Sequence, residues 1–319
     1  MTANLPPAFT ARLKKIIPPK KFNEVIKSFS QRKPTTFRVN TLKLSADELQ
    51  EKLENRGFIV SRLNWYREAF VFRDSQKKLT ETELYKQGCF YIQSLSSMIP
   101  PLLLAPKKGD KILDITAAPG SKTTQMAAMM GDSGEIVAND LSQIRLLRLK
   151  NNLKIQGVTS VSVKQADARS FWQEYQEYFD KSLADVPCSL EGTFYLHEPK
   201  SFANWSLKKI EELTNRSRWI LRSTLSSTRV GGRIVYSTCT LAPEENEEVI
   251  DWILTKEKGK VEIEDFQIPG LDTYPALTGW EGKEYDRQVR KTFRILPSEL
   301  MEGFYVAVLR KTKSNIIRP

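Results

Sequence analysis

Three cysteines in 319 residues are too few for a disulfide scaffold, which makes a reducing cytosol the expected setting, so the protein is placed as cytoplasmic. A single histidine, His197, leaves no His and Cys cluster with metal-ligand spacing, so no metal is expected. The longest apolar run, Met98 to Pro106, is far too short to span a membrane and contains three prolines. No charged-then-apolar leader opens the chain, and no Walker loop occurs in it. Acid is scarce at the start, where residues 1–40 hold nine Lys or Arg against the single Glu24. With 49 basic and 38 acidic residues the formal charge is +11, which favours a polyanionic partner, nucleic acid first. The plain alternative for the N-terminal cluster is a solvated helical face.

The stretch Lys111-Ile-Leu-Asp-Ile-Thr-Ala-Ala-Pro-Gly-Ser-Lys122 is the centre of the pattern. Lys111 to Ile115 reads as a buried strand and Ser121 to Met130 as a helix, with Ser121 expected as its N-cap. Thr116 to Gly120 is the turn between them, and its one glycine falls short of the three of a dinucleotide fingerprint. Asp140 follows 20 residues after Gly120 and closes the apolar run Glu135 to Asn139. A strand, tight turn, helix and strand ending in an acid make a nucleoside-binding half-fold, with the acid on the ribose hydroxyls. A ligand without a pyrophosphate is favoured. Asp114 suits a cation, and S-adenosyl-L-methionine carries a sulfonium and an amino group.

Before this stretch, Thr36 to Leu42, Phe58 to Leu63 and Ala69 to Arg73 read as strands, and Ala46 to Asn55 as a helix. This β-α-β-β unit with basic flanks suits RNA, with Phe37, Trp65, Tyr66, Phe70 and Phe72 as candidate stacking rings, although core packing is the commoner job for such residues. Residues 80–110 read as a connector, with a helix starting at Pro100-Pro101. Residues 1–106 are thus expected to form an RNA-binding region and residues 107–319 a main α/β domain. Downstream, Ser142 to Gln156 and Glu244 to Lys256 read as helices, as does Ser206 to Arg229, closed by Gly231-Gly232. Val161 to Asp167, Lys181 to Asp185, Arg233 to Thr238, Thr292 to Leu296 and Gly303 to Leu309 read as strands.

In such a fold the ligand lies outside the carboxyl ends of the parallel strands. There the strands deliver Asp114, Asp140, Asp167, Asp185-Val-Pro-Cys188 and Ser237-Thr-Cys239, so two of the three cysteines reach one edge. Taken singly, each is more readily a small buried hydrophobe than a catalyst. Together, beside a methyl donor, they suit attack of a thiolate on carbon 6 of a pyrimidine, which makes carbon 5 nucleophilic. Asp185 can hydrogen-bond the cytosine ring nitrogen. His197 reads as incidental.

Ala117-Ala-Pro-Gly-Ser-Lys-Thr-Thr-Gln125, Ala138-Asn-Asp140, Asp185-Val-Pro-Cys-Ser189 and Tyr236-Ser-Thr-Cys-Thr-Leu-Ala-Pro-Glu-Glu-Asn246 resemble the Nop/Sun family of RNA cytosine-5 methyltransferases. So do Phe37 to Lys43, Phe90-Tyr-Ile-Gln93 with Ser96-Ser-Met98, and Met301 to Ala307, so the resemblance covers nearly the whole chain. It implies a Rossmann-like class I methyltransferase fold, doubly wound on a mostly parallel sheet, with a small N-terminal α+β RNA-binding domain. It also implies Cys239 as the nucleophile and Cys188 as the residue that assists product release. Cofactor contacts are carried to Thr116, Ala117, Ala118, Pro119, Gly120, Ser121, Lys122, Asp140, Asp167 and Asp185, and Lys122 also faces the target base. Cys89 matches no catalytic motif and is expected in the core.

Thr116 stands where the family has Cys or Ala, Val186 where it has Ala, and Leu190 where it has a small residue. The bacterial RsmF-type enzymes, which act on 16S ribosomal RNA, are the best match and commonly carry a further RNA-binding domain after the terminal hairpin. The family's small transfer-RNA enzymes are as compact as this chain. Ribosomal RNA is therefore the expected partner, with transfer RNA as the alternative and a monomer as the expected state. A non-catalytic RNA-binding assembly factor is the other class to exclude.

Overall fold

The structure, a computed structural model, describes residues 4–316 of the chain. Two helices open it, α1 (Pro7–Ile16) and α2 (Pro19–Ser28), each with proline in its first turn, where a missing N–H costs nothing. Then come β1 (Thr35–Val39), α3 (Ala46–Glu54), β2 (Val60–Arg62), β3 (Ala69–Phe72), the short α4 (Gln76–Thr80) and α5 (Glu83–Lys86), β4 (Phe90–Ile92) and α6 (Leu95–Leu104). A capping box between Ser45 and Glu48 starts α3. The four strands form an antiparallel sheet in the order β2-β3-β1-β4. Phe37, Phe70 and Phe72 are buried in its core, so they pack rather than present a stacking face.

The stretch read as a connector is therefore structured. β4 completes the first sheet, and α6 begins at Leu95, five residues before the expected Pro100-Pro101 start. Proline inside a helix leaves a carbonyl one turn back without its donor. For Pro101 that carbonyl is Ser97 O, and Gln93 Nε2 fills the gap at 3.1 Å.

The main sheet has nine strands. β5 (Lys111–Asp114), α7 (Ser121–Met129), β6 (Glu135–Asn139), α8 (Gln143–Gln156), β7 (Val161–Lys164), β8 (Phe179–Asp185), α9 (Leu207–Ser227), β9 (Thr228–Thr238) and α10 (Glu247–Lys256) alternate along the chain. They are followed by β10 (Val261–Glu264), β11 (Tyr274–Pro275), the hairpin β12 (Gly279–Trp280) and β13 (Lys283–Glu284), β14 (Phe293–Ile295) and β15 (Phe304–Lys311). The path runs β11-β14-β15-β9-β8-β5-β6-β7, with β10 on the free half of β15. The run from β9 to β7 is parallel, and β15 is antiparallel to β9. The strand order reverses between β5 and β8, which opens a crevice at their carboxyl ends.

Both faces of this sheet are covered, and the pleat sorts the side chains between them. Leu113, Ile115, Val137, Ala184, Ile234 and Tyr236 pack against α9 and α10, whereas Ile112, Ile136, Leu183 and Val235 pack against α6 and α7. Each such burial stabilises by about 1.5–3 kcal/mol. α6, although on the N-terminal side of residue 106, belongs to the packing of this sheet through Ile99, Leu103 and Leu104.

Several boundaries differ from the sequence reading; α10, for one, begins at Glu247 rather than Glu244. α9 ends at Ser227, and Gly231-Gly232 lies within β9. There Thr228 pairs with Phe179, and pairing resumes with Arg233 opposite Lys181, so the glycines form a bulge. A Cβ on Gly232 would lie 2.8 Å from Asp180 O. β7 stops at Lys164, which leaves Asp167 on a loop. The N-cap of α7 is Gly120, at φ 105°, and Ser121 is the first helical residue with no capping bond. A Cβ at Gly120 would stand 2.6 Å from Leu149 Cδ1, so close packing of α8 also requires glycine there.

The N-terminal sheet is tied to the main domain by buried polar groups. Arg38 Nη2 donates to Thr124 Oγ1 at 2.7 Å and to Ser121 O at 3.2 Å, and Arg38 Nε to Gln93 Oε1 at 2.9 Å. Burial lowers the Arg38 pKa to about 10, so it remains charged at neutrality. Asn40 Nδ2 donates to Gly88 O and Gln156 O. α1 and α2 turn Phe9, Leu13 and Val25 onto Phe194, Phe202 and Leu241, and expose Lys14, Lys15, Lys20 and Lys27.

Candidate active site

A cavity of about 500 Å³ opens where β5 and β8 diverge. Register explains its lining: Asp114 sits opposite Leu183, and Asp185 opposite Ser237, so the loops after β5, β8 and β9 leave the sheet side by side. The turn after β5 contributes Thr116 to Pro119, Ser121 and Lys122. The loop after β8 contributes Asp185 to Cys188 and Leu190, and the loop after β9 contributes Cys239.

The turn is held from both sides. Asn139 O accepts from Ala117 N at 2.7 Å, and the Asn139 amide donates to Ile115 O at 3.0 Å and Ala166 O at 3.1 Å. Thr116 Oγ1 donates to Asp185 O at 2.9 Å, so the residue that departs from the family pattern fastens the turn to β8. The Ala118-Pro119 peptide is cis.

Lys122 and Asp185 form the charged centre. Lys122 Nζ lies 2.7 Å from Asp185 Oδ2 and 2.6 Å from Ser97 Oγ, with its ammonium 5.8 Å from the centre of the Phe304 ring. Asp185 Oδ1 accepts from Ser237 Oγ at 2.7 Å. Beneath them Asp114 is buried and accepts from Thr123 Oγ1 at 2.7 Å; burial pushes its carboxyl up to about 7. A cation placed in the cavity would favour its ionised form.

The two thiols meet. Cys188 Sγ and Cys239 Sγ are 3.3 Å apart and both line the cavity. The hydrogen bond to Cys239, then burial, push the Cys188 thiol up, so Cys188 is held in its protonated form. Gly192 N donates to Cys239 O at 2.9 Å, and Gly303 N to Gly192 O at 2.9 Å. A Cβ at Gly192 would stand 2.1 Å from Gly303 O, so the backbone beside the Cys239 loop admits no side chain.

The acids expected on the cofactor separate. Asp140, at the end of β6, is buried; its Oδ1 accepts from Ser142 N at 2.9 Å. Its Oδ2 accepts no hydrogen bond and faces Arg145 Nη1 at 3.2 Å. Arg145 also donates to Ala118 O and lines the cavity. Gly120, Asp140 and Asp167 are not among the lining residues; Asp140 is joined to the lining through Arg145, whereas Asp167 is paired with Arg169 at 2.6 Å, whose hydrogen bond holds its carboxyl below the usual range. His197 is exposed and apart from the cavity, and Cys89 is buried in the N-terminal core. Sequence reasoning missed Ser94, Ser97, Arg145, Glu302 and Phe304, all of which line the cavity. It also missed Glu245, a buried acid that accepts from Ser189 N at 2.9 Å and that burial pushes up to about 8.

Comparison with known proteins agrees with this geometry. Residues 101–310 match the family described as 16S rRNA methyltransferase RsmB/F, and residues 5–95 match the N-terminal domain of 16S rRNA methyltransferase RsmF. The chain is 38% identical over 281 residues to the tRNA (cytosine(49)-C(5))-methyltransferase of Pyrococcus abyssi, covering 87% of this chain and 88% of that protein. It is 34% identical over 317 residues to Ribosomal RNA small subunit methyltransferase F of Vibrio cholerae, covering 98% of this chain but 65% of that one. Of the Shewanella sediminis protein of that name it spans 57%. A methyltransferase homologue from Pyrococcus horikoshii superposes with a TM-score of 0.80 at 31% identity, over 96% of this chain and all of that one. NSun6 from the same organism, solved with SFG, gives 0.81 at 26% identity, over 97% and 98%. The fold is that of a Rossmann-like class I methyltransferase with an added N-terminal domain, and the chain belongs to the RsmB/F family of RNA methyltransferases.

Proposed function

We propose that the protein transfers a methyl group from S-adenosyl-L-methionine to carbon 5 of a cytosine in RNA. The observation that carries this reading is the pair of thiols 3.3 Å apart in the same cavity as the Ala-Ala-Pro-Gly turn. The residues present fit the cofactor. Asp140, ion-paired with the lining residue Arg145, has an Oδ2 that accepts no hydrogen bond and could take one from a ribose diol, and Asp114 and Asp185 line a cavity that would receive a cation. When bound, S-adenosyl-L-methionine supplies an electrophilic methyl group. Thr116 to Pro119, Ser121, Lys122 and Asp185 line the cavity and are placed to hold it, with Asp140 acting through Arg145; Gly120 shapes the turn, and Gly120, Asp140 and Asp167 lie outside the cavity lining.

The chain's own residues then divide the work. Cys239, as thiolate, adds to carbon 6 of the cytosine, and carbon 5 becomes the nucleophile. Lys122 donates from its ammonium to the ring's O2 side and stabilises the charge that develops there, and Asp185 holds that ammonium at 2.7 Å. After methyl transfer a base, water in the open cavity being available, takes the proton from carbon 5, its C–H electrons re-form the 5,6 double bond, the carbon 6–sulfur bond breaks, and Cys239 leaves as thiolate. Cys188, in contact with Cys239, serves this release.

Small-subunit ribosomal RNA is the first substrate to test, because residues 5–95 match the RsmF N-terminal domain. Transfer RNA is the second reading, favoured by the 88% coverage of the Pyrococcus abyssi enzyme. The test is transfer of labelled methyl to transcripts of both, with bisulfite sequencing to locate the product. Cys239→Ala should abolish transfer and form no adduct, whereas Cys188→Ala should accumulate an RNA-protein species that survives denaturing electrophoresis. Full activity in both variants refutes covalent catalysis. Calorimetry should show cofactor binding weakened more than about tenfold in Asp140→Ala, the loss of a hydrogen bond to a charged group; an unchanged affinity refutes that assignment.

A further inference from the structure

Helix α8 carries features that its place in the fold does not require. Its inner face, Leu146, Leu149 and Leu153, is buried against Ala117 and Ala118 of the cofactor turn. Its outer face is apolar too. Among the nine large hydrophobic side chains that the described residues expose, four belong to this helix or its approach: Leu141 at 52%, Ile144 at 69%, Leu147 at 62% and Ile155 at 36%. The same helix holds Arg145, Arg148, Lys150 and Lys154 and no acid. Exposed apolar side chains cost solvation, so their concentration on one basic helix calls for a partner.

Beside this face lies a groove of about 810 Å³, walled by Leu147, Arg148 and Asn151 on one side and by Tyr85, Tyr91 and Ile92 on the other. It adjoins the active site. Pro119 lines both the groove and the cavity. Asn152 Nδ2 donates to Pro119 O at 2.9 Å and to Tyr91 Oη at 3.1 Å, which ties the groove wall to the cofactor turn. The chain from Tyr91 runs directly from groove to cavity, where Ser94 and Ser97 line the rim.

We infer that this groove binds the single-stranded segment of the RNA that flanks the target cytosine, a proposal that rests on RNA being the substrate. Half-buried tyrosine rings and aliphatic side chains accept base faces, the Asn151 side chain can reach base edges, and Lys86 and Arg148, which line the groove, meet phosphates. A target base must leave its stack to reach Cys239, so the strand beside it needs a hold next to the cavity. Charge favours this occupant over a second copy of the chain, since α8 would meet its own like charges. Shape favours it over a membrane surface, because the site is concave and walled by rings and amides.

The test uses the full chain and the transcript it methylates. The double variant Leu147→Asp/Arg148→Glu changes two exposed side chains, and its fold is checked by its melting temperature. Its KM for the transcript should rise at least ~10-fold and its salt dependence should flatten, with kcat at saturating RNA and cofactor affinity kept. In the wild-type protein, 4-thiouridine placed beside the target cytosine should crosslink to residues of α8 or to Tyr85 or Tyr91. An unchanged KM with crosslinks elsewhere overturns the groove while leaving the methyl transfer intact. So does a variant that loses only binding to phosphatidylglycerol vesicles, or only self-association. RNA binding is read separately by anisotropy. An RNA held through the groove but never methylated would support the groove and refute the proposed reaction, and a wild-type protein that binds no RNA refutes both.

Discussion

The two cysteine loops carry the same functional group and are anchored in different ways. Asn246 holds the Cys239 loop, and the neighbouring Glu245 holds the Cys188 loop. Thr238 Oγ1 donates to Asn246 Oδ1 at 2.5 Å, and Asn246 Nδ2 donates to Thr240 O at 3.1 Å, so both neighbours of Cys239 are pinned by one neutral amide. Ser189, next to Cys188, gives its N–H to Glu245 Oε1 at 2.9 Å and its hydroxyl to Glu245 Oε2. The loops join where Ser189 Oγ meets Thr240 Oγ1 at 2.7 Å. An amide keeps one geometry at every pH, and an acid does not. The two Asn246 bonds beside Cys239 are therefore independent of protonation, whereas Ser189, beside Cys188, is held directly by an acid whose pKa burial has pushed up to about 8; Thr240 meets acids only through its hydroxyl.

The strongest way to break this comparison is Asn246→Ala. Asn246 is fully buried, so the variant leaves the Thr238 hydroxyl without its acceptor and the Thr240 carbonyl without its side-chain donor. Two such losses cost roughly 2–4 kcal/mol of stability. The methyl-transfer rate should fall about 100-fold, because a reacting group displaced by an ångström loses that much. Denaturant unfolding and single-turnover kinetics read the two effects. A stable variant with wild-type rate would mean that Asn246 does not position Cys239.

Neither anchor was legible in the sequence, although both lie in a stretch singled out for its resemblance. Glu245 and Asn246 read as the start of a helix, and what they hold is set by strands that return 50 residues apart. Local chemistry was legible where it decides structure alone. Lys111 to Gly120 reads as strand and turn because burial and a positive φ leave little choice, and Asp140 lies at a strand end because the apolar run stops there. It misled where tertiary context overrides it. Pro100-Pro101 suggests a helix start, but Gln93 takes the freed carbonyl and the helix runs through. Gly231-Gly232 suggests a helix stop, but the pair makes a bulge in β9. Asp167 reads as a strand-end acid, but β7 ends three residues earlier and Arg169 claims it. Ser97, Glu302 and Phe304 reach the cavity from elements far away in the chain and carry no local signal.

Glu245→Gln keeps the shape of the anchor and removes its charge. The carboxyl titrates near 4.5 unfolded and about 8 folded, so the folded state binds more protons between these values and stability falls as pH rises through that window. Asp114 adds the same sign between 3.8 and about 7. Above about pH 7 the decline from Glu245 stands apart, and there the Gln variant should flatten the melting temperature against pH in calorimetry. Ionised Glu245 also opposes a thiolate at Cys188. In a Cys239→Ala background, iodoacetamide should therefore label Cys188 faster in the Gln variant than in the parent at pH 8. Equal labelling would show that the two loops do not differ in electrostatics.

The smallest expected effect falls on the link between the loops. Ser189→Ala removes the hydroxyl that joins Glu245 to Thr240, while the Ser189 N–H bond to Glu245 remains and Thr240 Oγ1 keeps Glu191 Oε2 at 3.2 Å. Each buried group thus retains one partner, and the cost should be about 1 kcal/mol, that of a single hydrogen bond. If the link serves Cys188, adduct formation should stay near the wild-type rate while adduct breakdown slows by about fivefold, the equivalent of that energy. Quenched-flow separation of the two steps reads this directly. Slowing of both steps together would place Ser189 with the Cys239 loop, and the contrast between the two anchors would fail.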